Sequence, residues 1–496
     1  MRRITIPAFM ATLLFASACS TNPVTGQRQF NIVSESQAAA LGAQENANVI
    51  EEFGIYNEVP ALTETVTRIG RKVAAASDRP NLPWSFAILD TPMINAMALP
   101  GGYVYVTRGI LERMNSEDEL AGVIAHEISH VSARHIEARL SQEQLAQFGL
   151  VLGSIVAGPA ASQTYGGLVQ LGTQLLFTKY SRQQESQADL LGTAYMTEAG
   201  YNPEGARNML LALQRLDTGK DGSGVDRYFI DHPDPGKRIA DVQSKIQTLE
   251  QSAPAVVQQP MDRNSFVRKL QGIIVGDSTM QTTIRDDVIY QRRYGMIVPI
   301  PRGWTTVVSP GALFALTPES SKDGSALIAQ DIPLKKLQGA VSAQSGVRTL
   351  LQQMGLQFVN SSSASSRTGE KFPIDLWRGQ TNSGVVAVET TQFTEADHAV
   401  VLMQITPASK YTSQGVLGGL LATVRFDRAQ ARAAEPPRMK TGTGGSAVTW
   451  SEIAVRSTGN PADAPQIAHI NGFDTNSAVP QSMTLKLPED VVAGEQ

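Results

Sequence analysis

The stretch SEDELAGVIAHEISHV, residues 116–131, decides how this chain is read. Ser116 and Glu119 form the S-x-x-E pattern of a helix N-terminus, and Leu120, Ile124, Ile128 and Val131 recur at helical spacing. The pattern predicts a helix from Ser116 to about Leu140. Inside it, His126-Glu127-Ile128-Ser129-His130 sets two imidazoles at i and i+4 on one helical face. Zinc needs neutral nitrogens converging at about 2 Å, which that spacing supplies. Glu127 lies beside the face, where it can act as general base towards water at the metal. With six histidines in 496 residues, chance gives an H-E-x-x-H in roughly a few chains per thousand.

A zinc that performs chemistry usually has three protein ligands and one open position. No H-x-x-G-x-x-H follows the motif, so the third ligand must come from elsewhere. The next candidate is Glu185 in Glu185-Ser186-Gln187-Ala188-Asp189, on a predicted helix that ends near Gly200 ahead of Asn202-Pro203. Asp189, one turn further on, can orient a ligating histidine from behind. By spacing alone, a solvated acidic face explains Glu185 and Asp189 nearly as well.

Outward from this centre, residues 34–75 read as helical with interruptions around Gly54 and Pro60. Between Trp84 and Tyr105 the pattern turns to short strands, with Pro100-Gly101-Gly102 as a turn. After about residue 252 the character changes. Ser252–Pro260 reads as a linker, and alternating β-type runs with helical segments near 342–354 and 411–424 describe an α+β domain over 260–430. A second linker is expected at 431–447 and a small module at 448–490. The predicted fold class is α+β and multidomain: a mainly helical domain with a small β-sheet over 19–252, then the α+β domain, then the small module.

At the N-terminus, Arg2 and Arg3 precede an apolar run over residues 4–18, the layout of a secretory signal too short to span a bilayer. Cys19 follows Ala16-Ser17-Ala18 and is the only cysteine, which rules out a disulfide within the chain. Its setting resembles the lipobox of bacterial lipoproteins, so residues 1–18 are expected to be removed and Cys19 lipid-modified. An ordinary signal cleavage site is the alternative. Ser20 rather than Asp after the cysteine implies, in lipoproteins of enteric type, sorting to the outer membrane. The charge balance, 42 basic against 46 acidic residues and net −4, speaks against a nucleic-acid partner. It says nothing about peptide substrates.

H-E-I-S-H-V followed by E-x-x-A-D resembles the gluzincin zinc metallopeptidases related to HtpX and the CAAX prenyl endopeptidase. Asn95-Ala96 with Pro100-Gly101-Gly102, Tyr180-Ser181-Arg182, Gly200-Tyr201-Asn202-Pro203 and His232-Pro233-x-Pro235-x-x-Arg238-Ile239 match further segments of that family. Cys19-Ser20-Thr21-Asn22-Pro23-Val24-Thr25-Gly26 resembles the mature start of its periplasmic lipoprotein members of BepA and LoiP type. The resemblance covers about residues 19–245 and implies a zincin-type fold with one zinc held by His126, His130 and Glu185. It also implies Asp189 and Arg238 behind the ligands, Glu127 as base, and polypeptide substrates added as a strand beside Asn95 and Ala96. In similar proteins the histidine matching His232 lies near the metal, where it stabilises an oxyanion or plugs the fourth position. A loop histidine packed beneath Arg238 is the plain alternative. His135 reads as structural.

Thr449–Ala454, Ile467–Phe473 and Leu485–Pro488 resemble a divergent LysM module of β-α-α-β order, which implies binding to peptidoglycan, although the usual Gly-Asp-Thr opening is missing. A plain structural module is the alternative. The resulting functional expectation is a zinc endopeptidase of the bacterial envelope acting on misassembled proteins, anchored to the membrane at Cys19. Two other classes stay open: a non-proteolytic assembly factor, and a peptidoglycan-binding adaptor with a latent protease site.

Overall fold

The computed structural model describes residues 33–141, 180–217 and 235–489, apart from 308, 310–311, 320–323, 338–341, 382–383, 396, 413–416, 446 and 448. Towards the N-terminus it describes residues 19–22, 24, 26 and 28–30. The expected signal stretch 1–18 and His232 lie outside the described residues.

β1 (Cys19–Thr21) pairs with β2 (Arg28–Phe30), and α1 (Glu35–Phe53) follows. Ser34 and Gln37 close a reciprocal capping box at the start of α1, and Gly54, at φ +71°, ends it. α2 (Pro60–Ala75) starts on a proline whose missing N–H costs nothing at that position. β3 (Ser85–Leu89), β4 (Ala96–Leu99) and β5 (Tyr103–Thr107) form a sheet of order β3-β5-β4. β5 runs parallel to β3 and antiparallel to β4, so β4 is an edge strand. Then come α3 (Arg108–Arg113), α4 (Glu117–Ser132), α5 (Arg182–Glu198), α6 (Glu204–Asp217) and α7 (Pro235–Ser252).

α4 is the axis of this unit, with every residue from Asp118 to Ser132 buried. It is enclosed on all sides, as core helices are. Two glycines permit the enclosure. A Cβ at Gly122 would stand 2.8 Å from Ala206 Cα, and one at Gly192 would stand 3.0 Å from the Ala125 and His126 backbone. Gly192 thereby lets α5 lie against the metal-binding turn of α4.

Two details of α4 depart from expectation. Ser116 caps the Glu119 N–H as predicted, but the Glu119 carboxylate accepts from Asn115 N (2.6 Å), so the box is not reciprocal. The helix also stops at Ser132 rather than continuing to Leu140: Arg134 takes φ +58°, and a separate helical segment occupies 135–141.

α8 (Pro254–Val257) occupies part of the stretch read as a linker, and α9 (Arg263–Lys269) follows. Phe266, Leu270, Ile273, Ile274 and Val275 pack into the first core, so this start of the 260–430 region completes the first unit. Beyond it run β6 (Thr282–Arg285), β7 (Val288–Gln291), β8 (Met296–Pro299), β9 (Trp304–Thr306), β10 (Ala312–Pro318), β11 (Ala326–Pro333), α10 (Ala343–Gln353), β12 (Gln357–Ser365), β13 (Lys371–Thr381), β14 (Gly384–Glu395), β15 (His398–Pro407) and β16 (Arg425–Phe426). They build an antiparallel four-stranded sheet, β16-β8-β7-β6, and a seven-stranded one, β12-β13-β14-β15-β11-β10-β9. Trp377 is fully buried there and donates to Thr390 Oγ1 at 3.0 Å.

At the C-terminus, β17 (Met439–Thr443), α11 (Trp450–Ser457), α12 (Ala464–Ile470) and β18 (Thr484–Pro488) follow in β-α-α-β order, with β17 antiparallel to β18. β17 lies inside the stretch read as a linker, because its Met439 is buried in the first core and its backbone completes the pair with β18. The module is also pinned by Lys486, whose buried ammonium donates to Glu112 O, Met114 O and Ile470 O at 2.7, 2.8 and 2.6 Å. It therefore joins the last turn of α3 to the last turn of α12. No helix among the described residues is long and apolar enough to cross a membrane.

Candidate metal centre

α4 and α5 bring His126, His130 and Glu185 together, each no more than 2% exposed. His126 Nε2 lies 3.0 Å from His130 Nε2. Glu185 Oε2 lies 3.6 Å from His126 Nε2, and Oε1 3.4 Å from His130 Nε2. Ligand atoms at about 2.0–2.1 Å from one tetrahedral zinc stand about 3.3–3.4 Å apart, close to the separations of the two Nε2 atoms from each other and from the Glu185 carboxylate. This is the one group of three His, Cys, Asp or Glu side chains able to hold a metal among the described residues.

The protonation states agree with a ligand role. His126 Nδ1 lies 2.9 Å from Asp189 Oδ1, which can only accept from it, leaving Nε2 with its lone pair. Burial pushes His130 well below the usual histidine range, against the pull of Glu185, and pushes His135 down to about 4. With a neutral His130 ring, the approach of Glu185 Oε1 to its Nε2 is that of converging ligands, not an ion pair.

Arg238, from α7, neutralises the acids. Its Nε and Nη2 meet Asp189 at 2.6 and 2.8 Å, and its Nη1 meets Glu185 at 2.9 Å. Burial works to raise the Asp189 carboxyl, but Arg238 and the His126 hydrogen bond outweigh it and hold the group below the usual range. Asp189 thus contacts His126 from behind, and Arg238 bridges Asp189 and Glu185. Glu127, next to His126 on α4, is buried at 2% exposure.

Asn95 and Ala96 sit where β4 begins. The Asn95 carboxamide accepts from Ala96 N (2.9 Å), and Asn95 N and O both bond Thr107. Both side chains are buried, and β4 is paired with a strand on one side only. A cavity of about 1280 Å³ lies elsewhere, between the end of α1 and the second unit, lined among others by Glu51, Asp90, Asp277, Asp331 and His398. Lys336 pairs with Glu51 at 3.0 Å there, and His398 Nδ1 lies 2.6 Å from Asp331 Oδ1.

Around the ligands stand residues to which the sequence reading gave no part in the site. Tyr180 stacks on the His130 ring, centroids 3.8 Å apart. His135 and Gln187 form a chain behind His130, with Nδ1 of His135 3.0 Å from Nδ1 of His130 and its Nε2 3.0 Å from Gln187 Oε1. Arg134, just before His135, holds a left-handed conformation that costs a non-glycine residue about 1–2 kcal/mol. A glycine inside the α5 pattern was the signal for close packing at Gly192.

A buried His-His-Glu set with a carboxylate behind it and a glutamate beside it defines a metallopeptidase-type centre. Residues 60–246 match the model of Peptidase family M48, so this part of the chain carries a domain of that zinc-dependent family. The chain is 31% identical over 229 residues to the mitochondrial metalloendopeptidase OMA1 of Schizosaccharomyces pombe, covering 45% of this chain and 64% of that one. It is 28% identical over 257 residues to the beta-barrel assembly-enhancing protease of Escherichia coli, covering 50% and 51%. To metalloprotease LoiP of Escherichia coli it is 24% identical over 188 residues, covering 38% and 73%. The chain thus spans less than two thirds of the length of the first two relatives.

Proposed function

We propose that the chain is a zinc-dependent endopeptidase of the bacterial cell envelope that cleaves misfolded or misassembled envelope proteins. The observation that carries this reading is the convergence of His126 Nε2, His130 Nε2 and Glu185 at 3.0–3.6 Å beside a buried Glu127. A site serving structure alone has no use for Glu127 at that place, which favours catalysis over a scaffold.

When bound, zinc acidifies water and polarises a peptide carbonyl. The chain does the rest. Glu127 takes the proton of the attacking water and returns it to the leaving amine. Asp189 and Arg238 hold His126 and Glu185 in place. The edge of β4 at Asn95 and Ala96 receives the peptide as an added strand, reading backbone more than side chains. His232 belongs to the same proposal as a second group at the reacting carbonyl. Residues 439–488 are assigned peptidoglycan binding on their β-α-α-β order, and Cys19 the lipid anchor that places the protein in the periplasm at the outer membrane.

The test is cleavage of an unfolded protein such as casein by the parent and by Glu127→Gln, both loaded with zinc. Cleavage by the parent alone supports the reading. Equal cleavage by both, or none by the loaded parent with its natural envelope substrates supplied, overturns it.

A further inference from the structure

In an unbroken helix His135 would be carried away from His130. Five residues at 100° each place the two side chains about 140° apart around the axis. Here α4 ends at Ser132, Arg134 turns left-handed at φ +58°, and the chain resumes helical form at 135–141. Such a conformation persists only where the surroundings hold it. Buried Asn22 does so, donating from Nδ2 to Ala133 O at 3.1 Å, while the Arg134 guanidinium reaches Glu35 at 2.6 Å. The break brings His135 Nδ1 to 3.0 Å from His130 Nδ1.

The protons along this line can be assigned in order. Gln187 Oε1 only accepts, so His135 carries its proton on Nε2, 3.0 Å away. Its Nδ1 is then a lone pair, which accepts from Nδ1–H of His130. His130 is left with its lone pair on Nε2, the atom facing His126 Nε2 and Glu185 Oε1. The opposite order would put a proton on His130 Nε2, where it would block a metal. Tyr180, stacked at 3.8 Å between centroids, fixes the plane of the ring. His126 reaches the same state through a carboxylate, His130 through a neutral imidazole and an amide.

We propose that His135, backed by Gln187 and delivered by the break at Arg134, is a positioning residue that selects the Nδ1–H tautomer of His130 and so presents Nε2 to the zinc. The proposal rests on the zinc-site reading and touches neither metal nor substrate directly.

The experiment uses the full chain, labelled with ¹⁵N-histidine, first metal-free and then titrated with zinc against a chelator. The metal-free parent should show His130 protonated at Nδ1, and His135→Phe should shift the ring towards the Nε2–H form. Zinc affinity should fall about 10–100-fold in His135→Phe, as for other partners of ligating histidines. His135→Gln, which restores an acceptor, should recover most of it. Gln187→Leu, more remote from the core, should weaken binding in the same direction if His135→Phe does not fold. A metal-free parent with His130 protonated at Nε2 overturns the proposal. So does a folded His135→Phe with parental zinc affinity, or equal losses in the Phe and Gln variants, which would mean packing alone. If the parent itself holds no zinc, the site reading fails, while the metal-free tautomer still decides this inference.

Discussion

Replacing Arg238 with methionine removes the cation that bridges the buried Asp189 and Glu185. The guanidinium side chain is 4% exposed, and those of Asp189 and Glu185 are 2% and 0% exposed. It makes two bonds to Asp189, at 2.6 and 2.8 Å, and one to Glu185 at 2.9 Å. Methionine fills much of the volume but takes the Arg238 charge away from both carboxylates, and breaking a buried pair from one side costs about 3–5 kcal/mol. The upper part of that range is expected in the metal-free protein, since two acids lose the same cation. Zinc supplies positive charge to Glu185, so the loaded variant should lose less. Urea unfolding followed by circular dichroism, with and without chelator, measures both, at an unchanged slope against denaturant. A metal-free loss below about 1 kcal/mol would refute the argument that Arg238 holds these acids in charge balance.

Gly192→Ala sets a Cβ 3.0 Å from the Ala125 and His126 backbone, so α4 and α5 must separate slightly. A loss of about 1–3 kcal/mol with weaker zinc binding is expected, read by thermal melting and chelator competition. Burial pushes the Glu112 carboxyl from 4.5 up to about 7, against the charges of Arg108, Arg113 and Lys486. A folded value above the unfolded one gives stability that is complete below about 4.5 and is lost as pH rises through about 7. Glu112→Gln should therefore gain on the parent by up to about 3 kcal/mol between about pH 5 and about pH 8; a constant difference across that range would contradict the shift. Lys486→Met leaves Glu112 O, Met114 O and Ile470 O without that donor. At about 1–3 kcal/mol for each unsatisfied group, the C-terminal module should loosen and become open to limited proteolysis, and equal protection in both proteins would count against its pinning role.

The metal helix was legible because its information is local: a capping serine, four spaced apolar residues and two histidines at i and i+4. Glu185 and Asp189 stood out only through family resemblance, since by spacing a solvated acidic face explained them nearly as well. What escaped the sequence is tertiary. Ala133-Arg134 contains neither glycine nor proline, so nothing in the string marks the break that brings His135 back to His130. Met439 and Ile273 look like ordinary members of a linker and a second domain, yet both are buried in the first core. Lys486, a charge in an apolar strand, would pass for a surface residue until its three carbonyl partners are seen.

The most direct test of the account is X-ray absorption at the zinc edge on the loaded chain. Two imidazole nitrogens and carboxylate oxygen at about 2.0–2.2 Å, with no sulfur, are expected, and one imidazole should disappear in His130→Ala. A coordination shell containing sulfur, or one unchanged by His130→Ala, would contradict a zinc held by His126, His130 and Glu185.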